Sequence, residues 1–329
     1  MYPGAAFIRS KVCLACLTVG FAAGWATPLP AMIFWSTADP NYNTTAPTGV
    51  LAGSGWQWVG RWGDFQGTAI GPHHFLTAQH VGGKVGDTFV FNGVNFTTTA
   101  YADDPASDLR IWEVSGTFPE WAPLYRASNE LGKPLVVFGR GRTRGNEVLV
   151  SGAVKGWQWG GYDGQLRWGQ NTVAQLANGG ALLYAQLDAS GGANEAHLAL
   201  NDSSGPIFIK EGADWKLAGV AYAVDAYFST SSSGPGFNAA IYDARGLYIG
   251  HDQTSGPWNF MQGPSPVPSG FYATRVSLRL AWIDSVIQPL PVGADAPLLT
   301  DWQTCVLLGL LTGTGTWHLC RGLPRSHEI

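Results

Sequence analysis

Three segments of this sequence carry side chains that could do acyl chemistry together, in the order His, Asp, Ser. Phe75-Leu76-Thr77-Ala78-Gln79-His80-Val81 runs an apolar strand into a small-residue corner that ends in histidine. Ser107-Asp108-Leu109-Arg110-Ile111-Trp112 sets an aspartate just ahead of an apolar strand. Asn201-Asp202-Ser203-Ser204-Gly205-Pro206-Ile207-Phe208 presents a serine in a polar loop, then turns at Gly-Pro into another apolar strand. A serine hydroxyl is a poor nucleophile at neutral pH. A histidine within hydrogen-bond reach takes its proton during attack and returns it to the leaving group. A carboxylate fixes the histidine tautomer and stabilises the imidazolium. Backbone N–H groups beside the serine must then hold the oxyanion, and losing one such donor costs about 10²–10³ in rate.

The elements that must position these residues read as strands. From about 50 to 250, short stretches rich in β-branched, aromatic and small residues alternate with Gly, Asn and Asp turns: Trp56 to Phe65, Thr68 to Thr77, Thr88 to Phe91, Leu109 to Val114, Leu135 to Gly139, Val148 to Val154, Ala181 to Leu187, Pro206 to Ile209 and Trp215 to Ala223. Strand and turn spacing of this kind implies a β-barrel or sandwich rather than βαβ units. A single helix is expected late in the chain. From Thr274 onward, apolar residues recur at Val276, Leu280, Ile283 and Ile287, one face of an amphipathic helix, with Thr274 or Ser277 available as a cap.

The three segments resemble the signature of the trypsin-like (chymotrypsin-fold) serine proteases. Thr77-Ala78-Gln79-His80 is similar to that family's Thr-Ala-Ala-His. Asp108-Leu109-Arg110-Ile111 is similar to its Asp-Ile-Ala-Leu, and Asp202-Ser203-Ser204-Gly205-Pro206 to its Gly-Asp-Ser-Gly-Gly-Pro. Leu217-Ala218-Gly219-Val220-Ala221 looks like the strand lining the substrate cleft. Gly270-Phe271-Tyr272-Ala273-Thr274-Arg275-Val276-Ser277, with Trp282-Ile283, looks like the last strand and C-terminal helix. The resemblance implies two six-stranded antiparallel β-barrels with a C-terminal helix and the active site between them. It implies endopeptidase activity on protein or peptide substrates, by a monomer, without cofactor or metal. Carried over residue by residue, Ser203 is the nucleophile, His80 the general base and Asp108 its partner. The oxyanion hole is formed by the N–H groups of Asn201 and Ser203, with Asp202 the structural carboxylate beside them. Alignment puts His197 at the floor of the specificity pocket and Tyr222, Ala223 and Val224 on its wall. With no carboxylate at that floor, a preference for Lys or Arg is not implied.

The sequence departs from the family pattern at several positions. Asn201 stands in place of a glycine, and Asn tolerates unusual backbone angles better than most residues. Ser204 stands in place of another glycine, and Gln79 in place of an alanine. Val50-Leu51-Ala52-Gly53 is only a distant echo of the family's Ile-Val-Gly-Gly activation site, so Asp202 is expected to pair with something other than a newly cut N-terminus. Residues 225–269 form an insertion long enough to cover the site. These departures also support an alternative: a catalytically inactive protease-fold module serving surface binding or scaffolding.

The whole chain bounds these readings. Its 329 residues suffice for a sizeable core, and 45% hydrophobic against 13% charged residues excludes a disordered tail protein. A net charge of −4 without basic runs excludes a nucleic-acid footprint. Residues 1–31 read as a signal peptide, with Arg9 and Lys11 ahead of the apolar Val12 to Ala26, and Ala26 or Ala31 as the cleavage position; a retained anchor is the alternative. Residues 32–290 then form the protease-like domain and 291–300 a linker. Residues 301–329 form a hydrophobic segment, Cys305 to Leu319, closed by Arg321 and Arg325. With Pro297-Leu298-Leu299-Thr300-Asp301-Trp302 ahead of it, this tail resembles bacterial PEP-CTERM and IPTL-CTERM sorting signals, with a plain membrane anchor as the alternative. Sorting machinery or membrane is the implied partner there, and an exported location, periplasmic, cell-surface or secreted, follows. Cys13, Cys16, Cys305 and Cys320 all lie outside the expected domain, which is therefore held by its core and has no cysteine metal site. His73 and His74 near His80 have no matching ligand motif, and the scattered tryptophans read as packing rather than a glycan platform.

Overall fold

A computed structural model describes residues 32–225, 227–250 and 257–288. The signal peptide, linker and tail read from the sequence lie outside the described residues. Among the described residues no helix is long and apolar enough to cross a membrane.

The first half is a closed six-stranded antiparallel barrel. Its order around the ring is Val59–Trp62, Phe65–Gly71, His74–Ala78, Leu109–Val114, Val94–Asp103 and Thr88–Phe91, which returns to the first strand through Arg61 opposite Val90. Aromatic residues fill it. Trp62, Phe75, Phe89, Phe91, Phe96, Trp112 and Phe118 form one buried cluster, and the rings of Phe75 and Phe89 stack at 3.9 Å. Each such ring removed from water contributes about 1.5–3 kcal/mol. The barrel closes around them because Gly60 and Gly67 leave room. A Cβ at Gly67 would stand 2.8 Å from the Phe75 ring, and one at Gly60 would overlap Phe89.

The second half is a seven-stranded antiparallel sheet in the order Arg167–Thr172, Pro134–Gly139, Pro206–Glu211, Asp214–Val224, Gly270–Arg275, Leu182–Gln186 and Gln175–Ala177. The three-residue Gln175–Ala177 is an edge appendage; the other six correspond to the second expected barrel. They curl until the outer two approach each other. The seam is bridged by a side chain, Asn171 Nδ2 donating to Gln186 O at 2.7 Å. Leu135, Val137, Ile207, Ile209, Ala218, Phe271 and Ala273 lie in its buried core. Ile33–Phe34 pairs with Ala196–His197 beside it.

Two expectations shift in detail. Thr68 to Thr77, read as one strand, is a hairpin of Phe65–Gly71 and His74–Ala78. The late helix begins not at Thr274 but at Leu280, because Thr274 and Arg275 still pair with Val220 and Gly219 in the sheet. A 3-10 turn, Val276–Leu278, intervenes. The main compact unit ends at Ile283, and the described residues after it complete the helix Leu280–Ile287.

A third sheet joins the long hairpin Arg142–Val150 and Ala153–Tyr162 to Ala239–Ile241 from the inserted segment. The insertion builds a small core of its own from Phe228, Ala239, Ile241, Ala244 and Leu247 against Val148.

Candidate active site

His80 leaves the first barrel at a sharp corner. The strand His74–Ala78 is almost wholly buried, with Thr77 Oγ1 accepting from the indole N–H of Trp112 at 3.2 Å. A 3-10 turn, Gln79–Val81, then lifts the histidine out, and Gly82 with φ 70° ends it. Asp108 stands at the head of the neighbouring strand and holds this corner twice. Its Oδ2 lies 2.5 Å from His80 Nδ1, and its Oδ1 accepts from the His80 backbone N–H at 3.0 Å. The imidazole is 40% exposed while the carboxylate is 16% exposed, so the more sheltered partner fixes the ring through Nδ1.

The serine loop comes from the second half, and the two halves are stitched together beside it. Gln66 of the first barrel donates from Nε2 to the carbonyls of Asp202 at 2.9 Å and Ser203 at 2.6 Å. The Ala78 N–H, two residues before His80, donates to Ser204 Oγ at 3.0 Å. The two adjacent serines are thereby distinguished. Ser204 is buried with its hydroxyl engaged, whereas Ser203 is half-buried and borders a pocket. Tyr222, on the same pocket, stands edge-on to the His80 ring at 6.0 Å.

Asp202 pins this loop from below. Its Oδ1 accepts from the Gly141 N–H at 2.7 Å and its Oδ2 from the Ala199 N–H at 2.8 Å. Burial pushes its carboxyl up to about 7, against the pull of those N–H groups. Gly139 and Gly141 are small because Asp202 occupies the space a side chain would need. The loop then turns through Asn201, whose φ of 74° is left-handed, the conformation that the missing glycine would adopt freely. Along the loop the backbone N–H groups of Asp202, Ser204 and Gly205 donate to Ala199 O, Ala221 O and Asp202 O. Those of Asn201 and Ser203 have no protein acceptor among the described residues.

The pocket beside Ser203 has a volume of 180 Å³ and is lined by Leu198, Ala199 and Leu200 on one side, Ala221 to Val224 on another, and Trp159 from the long hairpin. Tyr222, Ala223 and Val224 line this pocket. His197 does not: it is fully buried, it is absent from the pocket wall, and its Nε2 lies 3.2 Å from Ser269 Oγ. Pairing of Ala196–His197 with Ile33–Phe34 turns it inward, and burial lowers its pKa, keeping it neutral. Leu198 takes the pocket-facing position instead, so the wall is apolar. Counting residues back from the serine missed Leu198, Leu200 and Trp159. Only the aromatic run Trp157-Gln158-Trp159 hinted at the last of these.

The insertion does not line this pocket. With Tyr184, Tyr272 and Asp225 it lines a neighbouring cavity of 640 Å³, where Asp225 accepts from Tyr184 OH at 2.5 Å, Tyr272 OH at 2.8 Å and Gly270 N–H at 2.7 Å. His73 Nδ1 sits 2.6 Å from Gly116 O, and no group of three potential metal-ligating side chains occurs among the described residues.

No family model matches the chain, and no curated protein matches it. Among solved structures it is similar to neuropsin, a serine protease expressed in the limbic system of mouse brain. The identity is 12%, over 71% of this chain and 96% of that one, with a TM-score of 0.45.

Proposed function

We propose that this chain is a serine endopeptidase that cleaves peptide bonds through an acyl-enzyme, with Ser203 as nucleophile, His80 as general base and Asp108 as its orienting partner. The observation that carries the reading is the two-point grip of Asp108 on His80, at a corner bonded directly to the serine loop. In the first half-reaction Ser203 Oγ attacks the scissile carbonyl as His80 Nε2 takes the hydroxyl proton. Collapse of the tetrahedral species breaks the C–N bond, and His80 returns the proton to the leaving amine. Water then attacks the ester by the same route and regenerates the Ser203 hydroxyl. The N–H groups of Asn201 and Ser203, without internal acceptors, are the donors for the oxyanion. The apolar pocket favours a small or medium apolar side chain on the acyl side of the cleaved bond.

The features behind the inactive-module alternative are accommodated by this geometry. Asn201 takes the left-handed conformation, Ser204 is turned inward, and the insertion stays off the pocket wall. Export belongs to the same proposal, resting on residues 1–31; N-terminal sequencing of the mature chain checks it. Labelling of the full chain by a serine-reactive fluorophosphonate tests the catalytic reading. Labelling that is lost in Ser203→Ala and in His80→Ala is the expected result. A folded wild type that takes no label, or a Ser203→Ala chain that still does, removes the proposal.

A further inference from the structure

Several arginines in the body of this protein answer a carboxylate closely: Arg110 pairs with Asp103, Arg167 with Asp163, Arg245 with Asp243, Arg275 with Glu130 and Arg279 with Asp104. The alternating series Arg140, Arg142, Arg144 has no carboxylate partner among the described residues. These guanidinium groups donate only to backbone carbonyls: Arg140 to Gly164 O at 3.1 Å, Arg142 to Gly160 O at 3.2 Å, and Arg144 to Trp35 O at 3.1 Å while lying over the Trp157 ring. Arg140 is the most exacting of them, since its Nε is buried without an acceptor. Arg61 lies near enough for its charge to oppose that of Arg140 and, after burial, to help pull its pKa down to about 10. The acid nearest to Arg61 is Asp64, a loose 3.9 Å away at the hairpin tip.

These cations flank the serine loop. Gly141, between Arg140 and Arg142, holds Asp202, and the Arg142 N–H donates to Leu200 O at 2.9 Å. Arg61 is the cross-strand partner of Gln66, whose amide holds the Asp202 and Ser203 carbonyls. Tyr162, paired with Arg142, closes the two hairpins on each other by donating to Asp64 O at 3.2 Å. None of Arg61, Arg140, Arg142 or Tyr162 lines the apolar pocket. A peptide whose acyl-side residue fills that pocket passes the serine loop, and these two hairpins hold that loop.

We propose that Arg61 and Arg140, with Arg142 and Tyr162 beside them, form a carboxylate-binding subsite for the leaving-group side of the substrate. The inference rests on the endopeptidase reading for the direction of the peptide, and on the geometry alone for the anion site. Three cations against Asp64, in a chain of net charge −4, make the patch locally positive and select an acidic segment. A forked guanidinium also suits a carboxylate better than a point charge would. A carboxylate reaches the subsite in two ways, on an Asp or Glu side chain or at a peptide C-terminus.

The test uses the full chain and quenched fluorogenic peptides that share an apolar acyl-side residue and carry Asp, Ala or Lys just after the cleaved bond. Each is made with an amidated C-terminus, and the Ala peptide also as a free acid. A kcat/KM about tenfold or more higher for Asp than for Ala is expected, from one charge-assisted contact. That ratio falls toward one in Arg61→Gln and in Arg140→Gln. Arg61 is 54% exposed, so its variant keeps the fold even if Arg140→Gln does not. A preference for the free-acid Ala peptide assigns the subsite to chain termini instead of side chains. An Asp-to-Ala ratio of one or below in the wild type without a preference for the free-acid Ala peptide, or a carboxylate preference unchanged in Arg61→Gln, overturns the proposal. If nothing is cleaved or labelled, the endopeptidase reading fails, and a fluorescein-labelled tetra-aspartate peptide followed by anisotropy decides the site separately. Binding that weakens with salt and in Arg61→Gln supports the subsite, and equal binding by wild type and variant overturns it.

Discussion

Replacing Gly141 with alanine strikes the serine loop without touching any residue of the proposed triad. A Cβ at Gly141 overlaps the Leu200 carbonyl oxygen and stands 2.7 Å from both Asp202 Cγ and the Asp202 backbone N, where ordinary contact begins at 3.4 Å. Backbone atoms cannot rotate away as a side-chain tip would, so the loop must move by roughly 1 Å, more than the shortfall at Asp202 alone because Leu200 is nearer. The bonds strained by that motion are Gly141 N–H to Asp202 Oδ1 at 2.7 Å and Arg142 N–H to Leu200 O at 2.9 Å. One is charge-assisted and one neutral, so together they set a stability loss of about 2–4 kcal/mol. Catalysis should suffer in its own right. The Asn201 and Ser203 N–H groups ride on the displaced loop, and a misplacement of about 1 Å costs on the order of 10²-fold in rate. Urea denaturation followed by tryptophan fluorescence gives the stability. The second-order rate of fluorophosphonate labelling, measured well below the unfolding transition, gives the reactivity. A folded Gly141→Ala chain that labels at the wild-type rate refutes the reasoning, because it would mean that the pinned position of the loop is not what makes Ser203 reactive.

The adjacent serines should separate cleanly: Ser204→Ala strands the buried Ala78 N–H, losing about 1–3 kcal/mol, yet keeps its label, whereas Ser203→Ala loses the label with little change in stability. The reverse pattern would exchange their roles. Burial holds Glu195 up to about 8 against an ordinary value of 4.5, so the fold binds its proton more tightly than the unfolded chain does. Its contribution to stability is therefore full below pH 4.5 and is lost as pH rises through about 8, at up to about 1.4 kcal/mol per pH unit. Glu195→Gln should gain Tm relative to wild type as pH rises from 5 to 9, and a Tm difference flat with pH would count against this assignment. Glu130→Gln leaves the buried Arg275 guanidinium, now held at 2.6 and 2.9 Å, without its counter-charge, and should cost about 3–5 kcal/mol in urea denaturation. A loss under about 1 kcal/mol would show that water reaches that pair.

The candidate site was legible in the sequence wherever one short segment carries both chemistry and geometry. His80 at its corner, Asp108 at a strand head and Ser203 before Gly-Pro each combine a reactive side chain with a visible turn. Asn201 was legible as a left-handed residue because its side-chain type tolerates that backbone. His197 misled because its orientation is decided by a partner strand, Ile33–Phe34, more than 160 residues earlier in the chain. Counting along one segment cannot see which face that pairing buries. The same holds for Trp159 and for Gly139 and Gly141, whose importance lies in what packs on them from across the fold. The helix starts later than the pattern suggests because the first residue of the apolar period, Val276, lies in a 3-10 turn, while pairing with Val220 and Gly219 keeps Thr274 and Arg275 in the sheet.

The bonds from Gln66 to the serine loop and from Ala78 to Ser204 have a consequence for how competence is acquired. On the proposed mechanism the base and its carboxylate belong to the first barrel and the nucleophile to the second half, so neither half alone carries the whole site. On that proposal, a chain in which only one has formed is chemically silent. The proposed reactivity requires that both surfaces have met and that these three hydrogen bonds are registered, much as a two-key lock opens only with both keys turned. Labelling by a serine-reactive probe therefore counts docked molecules, and during gentle denaturation it should vanish when the seam parts, before the aromatic interior of the first barrel is exposed.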